Sequence, residues 1–287
     1  MSGLHSAAPA KLMRMLDRRS CVRLLAAGVP AWRLMGAATF PTTVADRVDR
    51  RWEAPYSRPA GIKMTRDGIW LVDGESGKAY LMSFSGQIKV EIETGLARPA
   101  AIETDEVGLW VAADDGRRMV RIEFGVDEDE RIDYETSAQA AEFDTPGVGL
   151  VKWGAGGEYS GEIGAQGVAW IRGELFLAVP PAAKIFVVRA QDGSLTREIP
   201  APGVRPQGLV FDARGDLWCA DGNSRSFFKM DAASGKIIKQ HMLPYDQPQV
   251  DGKVIVPHGC SIWQRMIYFC STATGEIYRT PLVNRLA

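Results

Sequence analysis

Three histidines stand in the chain, and one of them, His258, falls in a short element that recurs: "VPHGCSIWQRMIYFCS", residues 256–271. The matching place in the other copies holds Ala60, Ala100, Gln166 and Gln207. An imidazole ordinarily titrates at about 6.5, so a single copy carrying one suits proton transfer at neutral pH. The two amides suit hydrogen bonding to a substrate carbonyl or a developing oxyanion. Bonded to each other, they would instead cap whatever opening they share. Asp73, Asp114 and Asp221 each follow an aromatic-bearing stretch. They could orient an imidazole or contact a substrate, and Asp is also a common turn residue because its carboxylate takes nearby backbone N–H groups.

Other chemistries find no support. "GAGGEYSG" lacks the Lys-Ser/Thr ending of a phosphate loop and precedes no helical pattern. No G-x-S-x-G is present, which removes the serine-hydrolase elbow. The four cysteines, Cys21, Cys219, Cys260 and Cys270, show no C-x-x-C spacing, so neither a zinc site nor a redox dithiol is indicated. A two-residue turn at Gln264–Arg265 would pair Trp263 with Met266 and Cys260 with Phe269. Cys260 and Cys270 then leave opposite faces of the hairpin and are expected as free thiols.

The elements that must position these residues repeat. The stretches "RPAGIKMTRDGIWLVDG", "RPAAIETDEVGLWVAADDG", "GAQGVAWIRGELFLAVP", "RPQGLVFDARGDLWCADG" and "VPHGCSIWQRMIYFCST" share one plan. A variable residue is followed by an apolar strand, a turn, and a second strand bearing Trp70, Trp110, Phe176, Trp218 or Tyr268. "KAYLMSFSG" and "QIKVEIETG" supply further strands, bounded by turn residues. Strand-only repeats of about 40 residues predict an all-β propeller of four-stranded blades. Five blades are readable and a sixth is left open, because the step from Ala100 to Gln166 is long and holds the Gly-rich "DTPGVGLVKWGAGGEYSGEIGAQG". The chain ends after the third strand of the last repeat, so a strand within "ADRVDRRWEAPYS" is expected to close the ring.

In such a blade the first strand lines the central channel and the second returns antiparallel beside it. Ala60, Ala100, Gln166, Gln207 and His258 should therefore ring one mouth, together with the strand ends at Asp73, Asp114, Val179, Asp221 and Ser271. Ring closure sets the last blade beside the first, which predicts an approach of His258 to Asp73. The aromatics should be packing residues, and His241, near a fourth strand, should be peripheral.

The P-x-G and L-W-x-A-D repeats resemble the calcium-dependent propeller superfamily of gluconolactonase/regucalcin, strictosidine synthase and virginiamycin B lyase, over about residues 55–280. "PHG" at Pro257–Gly259 is similar to the stretch carrying the lyase's catalytic histidine, onto which His258 maps. The resemblance implies a small-molecule lyase or lactonase and a divalent cation, calcium or magnesium. Val256 and Ser271–Thr272 stand where the lyase has acidic metal ligands, and Ala60 and Gln207 stand where the gluconolactonase pattern has acids or Asn. The expected partner is a small-molecule substrate. The other class of function is a non-catalytic propeller that binds protein or carbohydrate through a face.

Composition bounds the rest. The chain has 287 residues, 46% of them apolar, with 34 Lys+Arg against 35 Asp+Glu. That balance, with no long run of one sign, gives no ground for nucleic-acid or anionic-membrane binding, and the sequence leaves oligomeric state open. "DRRSCVRLLAAGVPAW" resembles a twin-arginine export signal, with Gly36-Ala37-Ala38 as a cleavage region. Pro30 and Arg33 interrupt its apolar run, which falls short of the about 20 residues a membrane span needs. Residues 1–40 are expected to lie outside the fold as a leader, and 41–287 to form the propeller. A cytoplasmic location is favoured, with export to the periplasm as the alternative.

Overall fold

The structure is a computed structural model that describes residues 40–105, 107–153, 157–244, 250 and 252–282. The stretch expected to be a leader, with its twin-arginine-like segment, lies outside the described residues. None of the described helices is long and apolar enough to cross a membrane.

Four-stranded antiparallel sheets form five blades. Blade 1 holds β3 (Pro59–Met64), β4 (Ile69–Asp73), β5 (Lys78–Met82) and β6 (Ile88–Glu93). Blade 2 holds β7 (Ala101–Thr104), β8 (Gly108–Ala113), β9 (Arg118–Val126) and β10 (Ile132–Asp144). Blade 3 holds β13 (Gly167–Ile171), β14 (Glu174–Val179), β15 (Lys184–Arg189) and β16 (Leu195–Pro200). Blade 4 holds β17 (Pro206–Phe211), β18 (Leu217–Asp221), β19 (Ser226–Met230) and β20 (Ile237–Met242). Blade 5 holds β21 (Cys260–Trp263), β22 (Met266–Ser271) and β23 (Glu276–Pro281), and its outer strand is β2 (Asp49–Glu53), borrowed from the start of the fold. The expected closing strand is thus present.

The long step between blades 2 and 3 contains a hairpin of β11 (Gly149–Trp153) and β12 (Gly157–Ile163), paired with each other in a separate two-stranded sheet. It is an insertion, and the blade count is five. One strand was not foreseen: β1 (Thr42–Val44) adds in parallel to the outer edge of β20. It covers His241, which sits on a fourth strand as expected but is fully buried, its Nδ1 3.0 Å from Thr43 Oγ1.

The strand patterns follow from what each strand touches. The second strand of a blade is sandwiched between neighbouring blades, so β4 and β8 are buried at every position and read as near-continuous apolar runs. Outer strands such as β6 and β16 are exposed at most positions. The apolar interior is split into five seams, one between each pair of neighbouring blades, including the seam from blade 5 to blade 1. Trp70, Trp110, Phe176, Trp218 and Tyr268 each fill the seam toward the following blade. Trp110 and Trp218 also donate Nε1–H to Asp105 and Asp212, both at 3.0 Å.

The last hairpin turns at Gln264–Arg265, both with positive φ, and pairs Trp263 with Met266 and Cys260 with Phe269. Cys219, Cys260 and Cys270 are buried free thiols.

Candidate functional site at the channel mouth

The inner strands run round the ring in the order β3, β7, β13, β17, β21 and back to β3, each packed on the next. Where they begin, the blades converge closely: blade 2 keeps the small Ala101 there, and blades 1, 3, 4 and 5 have glycine at Gly61, Gly167, Gly208 and Gly259. A Cβ on Gly167 would overlap the carbonyl oxygen of Gln207, and one on Gly259 would lie 2.8 Å from Gly61 Cα. The glycine after the variable residue is therefore a close-approach requirement. The variable residue itself is turned to the mouth.

All five variable residues, Ala60, Ala100, Gln166, Gln207 and His258, line one small cavity of about 40 Å³. Such a volume holds a few waters or one small polar group. Gly74, Pro99, Asp115 and Thr272 complete its wall together with three arginines, Arg58, Arg98 and Arg205.

His258 is 7% exposed. Its Nδ1 lies 2.6 Å from the carbonyl oxygen of Ala60. A carbonyl only accepts, so Nδ1 carries the proton and Nε2 holds the lone pair. Burial pushes the imidazole pKa down to about 4, and the positive charges of Arg205 and Arg58 push the same way against the raising effect of the Ala60 hydrogen bond. The ring is neutral at physiological pH.

Gln207, 2% exposed, has its Oε1 buried with no hydrogen-bond partner among the described residues. Gln166 donates Nε2–H to the carbonyls of Asp115 at 2.9 Å and Ala165 at 3.4 Å. It reaches the mouth but would have to give up a backbone bond to donate to a substrate.

The aspartates are placed differently from the sequence reading. Asp73 does not orient His258; that place is taken by the Ala60 carbonyl. Asp73 instead accepts the backbone N–H groups of Arg58 at 2.9 Å and Ser76 at 2.7 Å. Asp221 repeats the device, accepting from Arg205 N at 2.8 Å and from Ser224 N and Oγ at 2.7 and 2.8 Å. Ser271 Oγ accepts from Val256 N in blade 5. These side chains hold the segment entering the inner strand in blades 1, 4 and 5. Asp114 is drawn away to Arg118, 2.7 Å from its carboxylate, and does not line the cavity. Blade 2 has two consecutive residues of positive φ here, Asp114 and Asp115, and it is Asp115 that lines the mouth, paired with Arg98 at 2.6 Å.

The sequence reading also missed the three arginines. Their signal was the R-P that precedes the variable residue in blades 1, 2 and 4. They bear directly on the cation implied by resemblance. Among the described residues no group of three His, Cys, Asp or Glu is arranged to hold a metal ion. The mouth offers three guanidinium groups against one carboxylate that is already paired. This donor set does not fit a divalent cation, which takes oxygen ligands and repels guanidinium groups.

Among solved structures, the chain is similar to a glutaminyl cyclase from Myxococcus xanthus, with a TM-score of 0.60 and 13% identity over 84% of this chain and 97% of that one. A virginiamycin B lyase from Staphylococcus aureus matches with a TM-score of 0.43 and 20% identity over 81% of this chain and 69% of that one. A structure of the nidogen/laminin complex matches at 0.48 and 16% over 79% and 77%. At these identities the likeness is one of fold, and the chain is a five-bladed β-propeller. No protein-family model and no curated protein matches the sequence.

Proposed function

We propose that this protein is a small-molecule enzyme of the propeller lyase or lactone/ester-hydrolase kind, with His258 Nε2 as general base in the channel mouth. The observation that carries the reading is the 2.6 Å bond from Nδ1 to the Ala60 carbonyl. It fixes the tautomer whose Nε2 accepts a proton, in a ring kept neutral at working pH.

A base of pKa about 4 is weak but adequate where the charge it creates is stabilised, as with carboxylate bases of pKa about 4.6. Here Arg58 and Arg205, on the blades flanking His258, would stabilise negative charge on the substrate oxygens nearest the base, charge that grows as the base removes a proton. That proton comes from an attacking water in hydrolysis or from the carbon beside the carbonyl in elimination. Fold-level likeness to a cyclase supports an enzyme by analogy.

The test is a panel of lactones, esters and hydroxy acids incubated with the full chain, with products read by mass spectrometry. Turnover that falls about 10²–10⁴-fold in His258→Ala supports the reading. Turnover unchanged in that variant overturns it.

A further inference from the structure

The R-P-x repeat places an arginine two residues before the variable residue in three of the five blades, and all three arginines line the same small cavity. Among the described residues Asp115 is the one carboxylate in that wall, and it is tied to Arg98. The lining itself carries three guanidinium groups against that one carboxylate, with the carboxylates of Asp73 and Asp221 set behind it at the backbone N–H groups of Arg58 and Arg205. Beside them lies Gln207, almost wholly buried, with an oxygen that no group among the described residues satisfies. Buried polar atoms without a partner are rare and call for an explanation.

We propose that the mouth takes a small oxyanion, a carboxylate or phosphate group of the substrate, between Arg58 and Arg205 beside the His258 ring, while a hydroxyl next to that group satisfies Gln207. The inference rests on the reading of the mouth as a substrate site, and it names the substrate class.

The geometry supports it in three ways. Blade 5 carries His258 and lies between blade 4, with Arg205, and blade 1, with Arg58, so both charges flank the imidazole. Their backbone N–H groups are held by Asp221 and Asp73, which fixes where each arginine leaves the chain. The cavity of about 40 Å³ admits one small group, so the rest of the substrate would extend outward from the mouth. Guanidinium groups suit such an oxyanion because their planar N–H forks match carboxylate and phosphate oxygens.

Binding and proton affinity are then coupled. The charged groups lining the cavity with the imidazole are Arg58, Arg205, Arg98 and Asp115; Asp73 and Asp221 lie behind Arg58 and Arg205, and the nearby Cys270 thiol stays neutral because burial pushes it up to about 12. A bound anion offsets the arginine charges, so proton affinity at His258 should rise.

The test uses the full chain at low ionic strength with sodium acetate, sodium glycolate and inorganic phosphate, and with acetamide as a neutral control. Calorimetry and the His258 ring resonances report binding. The expected result is saturable binding of glycolate or phosphate, weaker acetate, and no acetamide, with the His258 pKa raised by about one unit. Arg205→Gln should weaken binding about tenfold or more, Arg205→Lys less, and exposed Arg131→Gln not at all. If Arg205→Gln fails to fold, the anion-against-acetamide comparison in the native chain decides. Acetamide binding as well as the anions, or no anion binding at tens of millimolar, overturns the proposal. If anions bind while His258→Ala keeps full turnover, the catalytic reading fails and the anion site stands. If neutral lactones are turned over in a His258-dependent way and no anion binds, the reverse holds.

Discussion

His258 Nδ1 donates to the carbonyl oxygen of Ala60 across 2.6 Å, and this bond joins the last blade to the first. The closure seam therefore also sets the imidazole tautomer, because it decides which ring nitrogen keeps its lone pair. His241 is the second buried imidazole, beneath β1, and its Nε2 has no hydrogen-bond partner among the described residues. Both are pushed down to about 4, chiefly by burial. In the unfolded chain they would titrate at about 6.5. Between these values the unfolded chain binds protons that the folded chain refuses, so stability is complete above about pH 6.5 and is lost as pH falls toward 4. Each ring contributes about 3 kcal/mol to that loss. Urea unfolding at about pH 7.5 and 4.5 should show a lower midpoint at the acid value, with a smaller drop in His241→Asn. Equal drops in the variant and the parent would contradict the assignment.

Gly167 meets the Gln207 carbonyl where blades 3 and 4 converge. Both partners there are backbone, so an added methyl cannot be relieved by a rotamer change. Gly167→Ala should cost about 3 kcal/mol, the upper end for overpacking. Gly173→Ala is not a matched control, since Gly173 has φ +80. Gly161→Ala, with open space around the position, is the control and should change little. Equal melting temperatures for the two variants would contradict the close approach.

Asp221 accepts three hydrogen bonds, one from the backbone N–H of Arg205. Removing a buried charged acceptor should cost about 2–3 kcal/mol. Because Asp221 acts on Arg205 rather than on the chemistry, Asp221→Ala should raise KM more than it lowers kcat, and Asp221→Asn should recover part of the loss. A fall in kcat alone, with KM unchanged, would place Asp221 among the reacting groups instead.

The blade plan was legible because the seams repeat one physical problem. Trp70, Trp110, Phe176, Trp218 and Tyr268 each fill the gap to the next blade, so the aromatic recurs at a near-constant spacing. The closing strand could be read from the missing fourth strand of blade 5. The short β1 could not, since three residues carry too little pattern. At the mouth, the five variable positions were correctly brought together. The partners were not: the Ala60 carbonyl that holds His258 is backbone, which has no sequence signature. The shift from Asp114 to Asp115 arises from the paired left-handed residues in blade 2, which a spacing count does not register. The arginines were visible in the R-P repeat, yet their meaning depended on knowing that all three reach one cavity.

The pH dependence of kcat/KM on any substrate the panel identifies tests the central claim most directly, because it reports the pKa of the base in the free protein. The account predicts an acid limb at about 4, matching the buried His258 ring. It also predicts a limb in kcat displaced to higher pH, because the bound anion offsets the arginine charges. Both limbs should vanish in His258→Ala together with about 10²–10⁴-fold of the rate. A profile unchanged in His258→Ala would show that another group takes the proton, and the account would be wrong.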